Sequence, residues 1–252
     1  MNTRSAGRWL RRAQPLLGTL VEVGVFDAGA DPNDAIDAAF AAIRDAQRCL
    51  SRFDVHSDIA RFNALRRGER LALRPISQHV LAAADALRGA SAGAFDISLG
   101  SGRDDWALRA AELHKLGDAV RLDLGGIGKG HAVDLGVDAL VAHGVSAGWV
   151  NAGGDLRTFG DVDTPLQLRD EASGGVRTFA SLRDGAFATS HFGADSRSWL
   201  SVGPRAPALS GAHVSVAAPL CLWADALTKV VALSGDTSHP LVTRYDAVAW
   251  VH

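Results

Sequence analysis

Apolar side chains recur at helical spacing in several parts of the chain. The clearest pattern predicts a helix from Asp34 to Phe53, where they repeat about every 3.6 residues. The apolar stripe of this helix consists of Ile36, Ala39, Phe40, Ile43, Ala46 and Leu50. Similar patterns predict helices over residues 58–65 and 77–90, and Ser57 is a suitable N-cap for the first of these two.

Strand patterns occur between and after these helices. Alternating apolar residues predict a strand over residues 20–25, and residues 71–73 are typical of a short edge strand. Leu166–Leu168 and Val176–Leu182 are predicted to pair with each other. A last strand, Ala247–Val251, is expected to complete a sheet.

Two glycine-rich turns stand in the middle of the chain. A short strand is predicted to end at Asp123–Leu124, and the sequence GGIGKG follows at residues 125–130. A helix is predicted next, which ends at Gly144. A second strand, residues 148–150, leads into the turn NAGGD at residues 151–155.

This layout favours binding of a phosphate or a metal ion. Glycines let the backbone approach a ligand closely, and a helix N-terminus presents unpaired N–H groups to an anion. Lys129 adds a charge suited to a pyrophosphate, and Asp123 is placed for a ribose hydroxyl, an adenine amine or a cation. The spacing is neither that of a P-loop nor that of the dinucleotide fingerprint. Tight packing of a strand against a helix is the alternative.

Composition narrows the class of protein. The composition, 47% hydrophobic and 21% charged, is ordinary for a globular protein. A chain of 252 residues is long enough to fold as one compact unit or as two closely joined lobes. The net charge of -2 argues against a nucleic-acid surface. No apolar run reaches the roughly 18 residues that a membrane helix needs, so no membrane partner and a cytoplasmic location are predicted.

Two smaller features have simple interpretations. Cys49 and Cys221 are the only cysteines, and each lies in an apolar pattern typical of a buried thiol. Four arginines among the first twelve residues are expected to form a solvated basic tail.

The motifs DLGGIGKGHAVD and GWVNAGGDLRTFG resemble the signature of the ApbE family, the FAD:protein FMN transferases. The resemblance implies an α+β fold with helices packed on mainly antiparallel or mixed sheets. It also implies two interlocked lobes with the flavin nucleotide site between them. Residues 1–252 would form a single flavin transferase domain.

The resemblance also assigns residues to the flavin nucleotide. The segments PLLGT, LSRFDVHSD, SAGAFDISLG and WLSVGPR are similar to family motifs in the same order along the chain. The residues implied to contact FAD are Leu17, Phe53, Ala94, Phe95, Asp96, Asp123, Lys129 and Val202. The same comparison places Leu200 where relatives have a histidine at the reaction centre, and His191 is a nearby substitute.

A Mg²⁺ site is implied near the end of the chain, where ADALTKVVALSG resembles the family's metal-binding helix. In relatives an Asp, a Thr four residues later and a backbone carbonyl bind the ion, which indicates Asp225 and Gly126 here. The position four residues after Asp225 is Lys229, and Thr228 lies one place earlier. Either Thr228 serves as the ligand, or Lys229 sits where the cation would be. An exposed ion pair between Asp225 and Lys229 is the third interpretation.

Three functions follow as hypotheses. The first is transfer of FMN from FAD to a Thr or Ser hydroxyl of an acceptor flavoprotein with release of AMP, with Asp225 and Lys129 as the catalytic residues. The second is a non-catalytic FAD-binding protein. The third is a metal-dependent FAD pyrophosphatase.

Overall fold

The structure, a computed structural model, describes residues 9–26, 31–170, 175–193 and 208–252. Its helices are α1 (Pro32–Leu50), α2 (Asp58–Ala64), α3 (Pro75–Ala90), α4 (Gly128–Ala142), α5 (Cys221–Ser234) and α6 (Pro240–Arg244). Its strands are β1 (Trp9–Leu16), β2 (Thr19–Phe26), β3 (Arg70–Ala72), β4 (Trp106–Arg109), β5 (Glu112–Lys115), β6 (Ala147–Ala152), β7 (Asp155–Phe159), β8 (Thr164–Asp170), β9 (Gly175–Leu182), β10 (Gly185–His191), β11 (His213–Ala218) and β12 (Val248–Val251).

The main sheet has seven strands in the order β1-β2-β6-β7-β10-β11-β12, and neighbouring strands are antiparallel. A three-stranded sheet, β3-β5-β4, and a β8-β9 pair complete the set among the described residues. In β2 the side chains of Val21, Val23 and Val25 are buried while Leu20 is 56% exposed, because alternate residues face opposite sides of a strand. The predicted α+β class with mainly antiparallel sheets is confirmed.

Helix α4 is the central helix of the layer that covers this sheet. It packs against α1 on one side, against α5 on another, and against β6 and β7 beneath. A Cβ atom at Gly136 would lie 3.0 Å from Ile43 Cδ1 of α1, so the glycine permits close approach of the two helices. Burial on several sides explains why α4 lacks the single apolar stripe that predicted α1.

Helices α4 and α5 cap each other. The amides of Cys221 and Leu222, in the first turn of α5, donate to the two carboxylate oxygens of Asp134 at 2.9 and 2.8 Å. In return, the amide of Gly130 in the first turn of α4 donates to Asp225 Oδ2 of α5 at 3.3 Å. A helix N-terminus leaves N–H groups unpaired, so each helix supplies the acceptor that the other needs.

Most predicted elements are confirmed, with small differences at their ends. Ser57 is the N-cap of α2, because its side chain accepts a hydrogen bond from the amide of Ala60. Cys49 and Cys221 are buried free thiols, as predicted. No helix among the described residues is long and apolar enough to cross a bilayer.

Other predictions of secondary structure are wrong. Residues 121–124 form no strand, and the Asp123 amide instead donates to the Ile97 carbonyl at 2.8 Å. Residues 9–12 of the expected basic tail instead begin β1, where Arg11 pairs with Glu22 of β2 at 3.0 Å. Arg4 and Arg8 lie outside the described residues.

Substitution of Gly130 by Ala tests the contact between α4 and α5. A Cβ atom there would lie 2.3 Å from the Cys221 carbonyl oxygen, a backbone atom that cannot move alone. We expect the free energy of unfolding, measured with urea, to fall by about 1–3 kcal/mol.

Gly89→Ala is the matched control, because Gly89 is a helical glycine with no atom within 4 Å of its Cβ position. It should stabilise the protein by up to about 1 kcal/mol. Equal stability of Gly130→Ala and the wild type would show that α4 and α5 do not meet this closely.

Candidate functional site

The first glycine-rich turn carries the chain from Asp123 into α4. Asp123 Oδ1 accepts from the Gly125 amide at 2.7 Å, and the Leu124 carbonyl accepts from the amides of Ile127 and Gly128 at 3.1 and 2.7 Å. The turn is therefore held by its own backbone and one carboxylate. It delivers Lys129 into the first turn of α4.

The second glycine-rich turn meets the first through an ion pair. Gly153 and Gly154 have φ values of +63° and +103°, which favour glycine, and Asp155 follows them as the first residue of β7. Lys129 Nζ pairs with Asp155 Oδ2. The Asp155 side chain is 2% exposed, while a third of the Lys129 side chain, 33%, is open to solvent.

Asp225 and Lys229 form a second, fully buried ion pair beside the first. Lys229 Nζ pairs with Asp225 Oδ1, and it also donates to the Asp225 carbonyl at 3.0 Å and to Ser190 Oγ at 3.3 Å. The Lys229 residue is only 3% exposed. The interpretation as an exposed ion pair is therefore wrong, because α5 turns this face into the protein.

Thr228 is engaged in the same network. Its Oγ1 donates to the Asp225 carbonyl at 2.7 Å and lies 2.9 Å from Ser190 Oγ. A Cβ atom at Gly126 would lie 3.3 Å from Lys229 Cε, so the lysine side chain passes directly beside the glycine turn.

These contacts do not fit the implied Mg²⁺ site. Asp225 uses one carboxylate oxygen for Lys229 and the other for the Gly130 amide. The Thr228 hydroxyl is hydrogen-bonded to the Asp225 carbonyl and to Ser190 Oγ. An ammonium group cannot be a metal ligand, and it holds the space beside Asp225 and Gly126. The donor set therefore does not suit a divalent cation while Lys229 stands there.

The buried charges shift each other's pKa values. Burial raises the pKa of Asp155 to about 6, with help from the Asp225 charge and against the attraction of Lys129 and Lys229. Burial also opposes ionisation of Asp225, but Lys229 and Lys129 hold the pKa of Asp225 below its usual value. Burial disfavours the Lys129 ammonium, yet Asp155 and Asp225 together raise the pKa of Lys129.

His131, which follows the glycine turn, lies in a different environment. It stacks on His79 with ring centroids 5.0 Å apart, and burial and the His79 charge lower the pKa of His131 to about 4. The ring is therefore neutral at physiological pH. Such a histidine suits packing between α3 and α4 better than proton transfer.

An open cleft of about 500 Å³ begins at Asp123, where the glycine turn starts. Phe53 is 81% exposed at this cleft, and the Arg52 guanidinium lies over its ring at 4.6 Å while pairing with Asp123 Oδ2 at 3.2 Å. The lining residues are Arg52, Phe53, Asn63, Ser98, Leu99, Ser101, Arg121, Leu122 and Asp123. An exposed aromatic ring beside charged groups suits a planar, polar ligand.

The other described residues that the resemblance implies to contact FAD each lie in a different environment. Phe95 is 3% exposed in the main core, so its ring is not available to a ligand. Asp96 accepts from the amide and hydroxyl of Ser98, which lines the cleft, both at 2.9 Å. Leu17 has a φ of +55°, and its amide donates to Gln47 Oε1 at 2.7 Å. Ala94 lies half-buried just before Phe95.

Val202 and Leu200 lie outside the described residues. Sequence reasoning missed Asp155, Arg52 and Ser190 as members of the site. Asp155 could have been identified from the sequence, because it lies next to a Gly-Gly pair as Asp123 lies near one. No sequence pattern identified Arg52 or Ser190, since their roles depend on contacts between distant segments.

The chain belongs to the ApbE family, which matches it over residues 17–112 and 101–249. Its fold is similar to the flavinyl transferase ApbE of Pseudomonas stutzeri in its apo form, with a TM-score of 0.80 and 21% identity over 97% of this chain and 91% of that one. It is also similar to the flavin transferase ApbE of Vibrio cholerae, with a TM-score of 0.82 and 18% identity over 97% and 93% of the two chains.

A third structure with the same fold is the ApbE protein of Thermotoga maritima, with a TM-score of 0.83 and 21% identity over 97% and 94% of the two chains. No curated protein sequence matches this chain significantly. At these identities the solved structures establish the fold.

Asp155 should make stability depend on pH. Because its pKa is about 6 in the folded protein against 3.8 ordinarily, the folded state binds this proton more tightly. The resulting stability is complete below about pH 4 and is lost as the pH rises through 6, on the order of 3 kcal/mol in total. Asp155→Asn removes this contribution, so its unfolding free energy should decline less than that of the wild type between pH 4 and pH 6.

Asp163→Asn serves as an exposed control, because the Asp163–Arg183 pair lies in solvent and should barely change the slope. Parallel profiles for the wild type and Asp155→Asn, from urea unfolding at each pH, would contradict the assignment of this proton to Asp155.

Proposed function

We propose that this chain is an FAD:protein FMN transferase formed by residues 1–252 as a single domain. It would bind FAD as substrate and transfer FMN to a Thr or Ser hydroxyl in the flavinylation motif of an acceptor flavoprotein. Membership of the ApbE family supports this proposal, as does the similarity of the fold to two proteins named as flavin or flavinyl transferases. A cytoplasmic location stays a prediction.

One observation carries the proposal. The first glycine turn joins the cleft at Asp123 to the ion pair Lys129–Asp155, and that pair lies beside Asp225 of α5. A nucleotide lying along this path would have its ring system near Phe53 and its diphosphate near the partly open ammonium of Lys129. Backbone amides, glycines and a lysine are groups that stabilise a diphosphate.

The reaction would be a displacement at phosphorus. The acceptor hydroxyl oxygen forms a bond to the phosphorus of the FMN half, and the anhydride bond from that phosphorus to the AMP half breaks. The hydroxyl proton passes to a base, and AMP leaves. Lys129 would neutralise charge on the diphosphate oxygens.

Asp225 has a different part in this scheme. Both of its carboxylate oxygens are engaged, by Lys229 and by the Gly130 amide. We therefore assign Asp225 the role of positioning the first turn of α4, through which it acts on Lys129.

A protein that binds FAD without transferring FMN is the second candidate. It is favoured by Leu200, which stands where the resemblance implies a histidine and which cannot exchange a proton. This candidate shares the binding site and differs only in the chemical step.

Incubation with FAD separates these functions. The purified protein is incubated with and without an acceptor peptide carrying a Thr flavinylation motif, with a Thr→Ala peptide as control. AMP release together with an FMN-sized mass increase on the Thr peptide alone is the expected result. FAD binding without AMP would select the binding protein, and AMP with free FMN in the absence of acceptor would select the pyrophosphatase.

Amine labelling tests where the diphosphate lies. The sequence contains three lysines, and Lys115 and Lys229 are buried while Lys129 is partly open. FAD well above its Kd should slow acylation of Lys129 by about tenfold or more, measured by peptide mass spectrometry. The two buried lysines are internal controls. An unchanged rate at Lys129 with bound FAD would place the diphosphate elsewhere.

A further inference from the structure

Lysine is rare in this chain, and two of its three positions, Lys115 and Lys229, are buried. Of the 26 basic residues, 23 are arginines and three are lysines. Lys229 is 3% exposed, on the buried face of α5. A buried ammonium is costly unless it is paired and hydrogen-bonded, so a lysine at this depth requires a matched set of acceptors.

That set of acceptors is complete. An ammonium has three N–H donors, and three oxygens receive them: Asp225 Oδ1, the Asp225 carbonyl at 3.0 Å and Ser190 Oγ at 3.3 Å. The acceptors come from α5 itself and from β10. On the remaining side of the Lys229 side chain lies the glycine turn, where Gly126 packs against the methylene groups of the lysine. The ammonium thus occupies a pocket of oxygen atoms, which is what a bound cation requires.

The surrounding charges are balanced by this lysine. Asp155 and Asp225 are two buried carboxylates, and Lys129 and Lys229 are the two cations whose charges act on them. Without Lys229 the cluster would carry one uncompensated negative charge beside the place proposed for a diphosphate. A second cation in the same pocket would be repelled by the ammonium at contact distance.

We propose that the Lys229 ammonium is the resident cation of this site and that the chain binds FAD without a divalent metal ion. This inference rests on the proposed function, because it concerns the same flavin nucleotide site. The ammonium has no N–H donor left for a phosphate, so its contribution is electrostatic. Direct contact with the diphosphate falls to Lys129 and the backbone of the glycine turn.

Lys229→Thr removes the ammonium and places a hydroxyl four residues after Asp225, on the same helix face. Carboxylate and hydroxyl oxygens are the ligands that Mg²⁺ prefers. The variant should therefore exchange an internal cation for an external one.

The first experiment uses the wild type and measures FAD affinity by flavin fluorescence, in EDTA and in excess Mg²⁺. The two Kd values should agree within about twofold. Binding of Mn²⁺ to the protein alone, followed by electron paramagnetic resonance, should show no tight site. A Kd that improves about tenfold or more with Mg²⁺, or a tight Mn²⁺ site, would overturn the resident cation while leaving the proposed function intact.

The second experiment repeats both measurements on Lys229→Thr. In EDTA its FAD affinity should be about tenfold or more below that of the wild type, and Mg²⁺ should restore it. The melting temperature should also rise with Mg²⁺ in this variant alone, because a metal ion replaces the lost partner of Asp225. Lys229→Thr with undiminished FAD affinity in EDTA would contradict the proposal.

Asp225→Asn in the Lys229→Thr background is the control for Mg²⁺ that binds only to the FAD diphosphate. It should abolish the response to Mg²⁺, and a retained response would overturn the assignment of the ion to this pocket. If Lys229→Thr does not fold in EDTA, the wild-type measurements decide alone. A wild type that binds FAD under neither condition would overturn this inference and the proposed function together.

Discussion

The reciprocal capping of α4 and α5 is the constraint on which the site depends. Asp134 accepts from the first amides of α5, and Asp225 accepts from the first turn of α4, so the two helix N-termini are held side by side. Gly130 permits this approach because a side chain there would strike the Cys221 carbonyl. The same contact brings residues about ninety positions apart in sequence into one cluster of charges, since Gly130 and Asp225 are separated by 95 residues.

Ion pairing within that cluster explains how the interior holds the carboxylates of Asp155 and Asp225. Each carboxylate has a lysine partner, and burial makes removal of any partner expensive. The two lysines then differ in use. Lys129 keeps a third of its side chain open to solvent, while Lys229 gives all its donors to the protein. In the proposed function, Lys129 binds the diphosphate and Lys229 balances the charge of the buried carboxylates.

The sequence was informative where the signal is local. Periodicity predicted α1, capping predicted the start of α2, and the glycine spacing identified the turn before Lys129 because its motif is contiguous. The supposed strand at Asp123–Leu124 was wrong, since a few apolar residues do not distinguish a strand from a buried loop. Asp155 could have been identified from the glycine pair before it, whereas Ser190 and Arg52 joined the site only through long-range packing, which spacing along one segment does not encode.

The most direct test of the central claim is a crystal structure with FAD bound, grown with Mg²⁺ present. The account predicts the diphosphate within hydrogen-bonding distance of Lys129 Nζ, with the Lys229 ammonium still on Asp225 and no metal ion between Asp225 and Gly126. A diphosphate remote from the glycine turn, or a metal ion that has displaced Lys229 from Asp225, would contradict it.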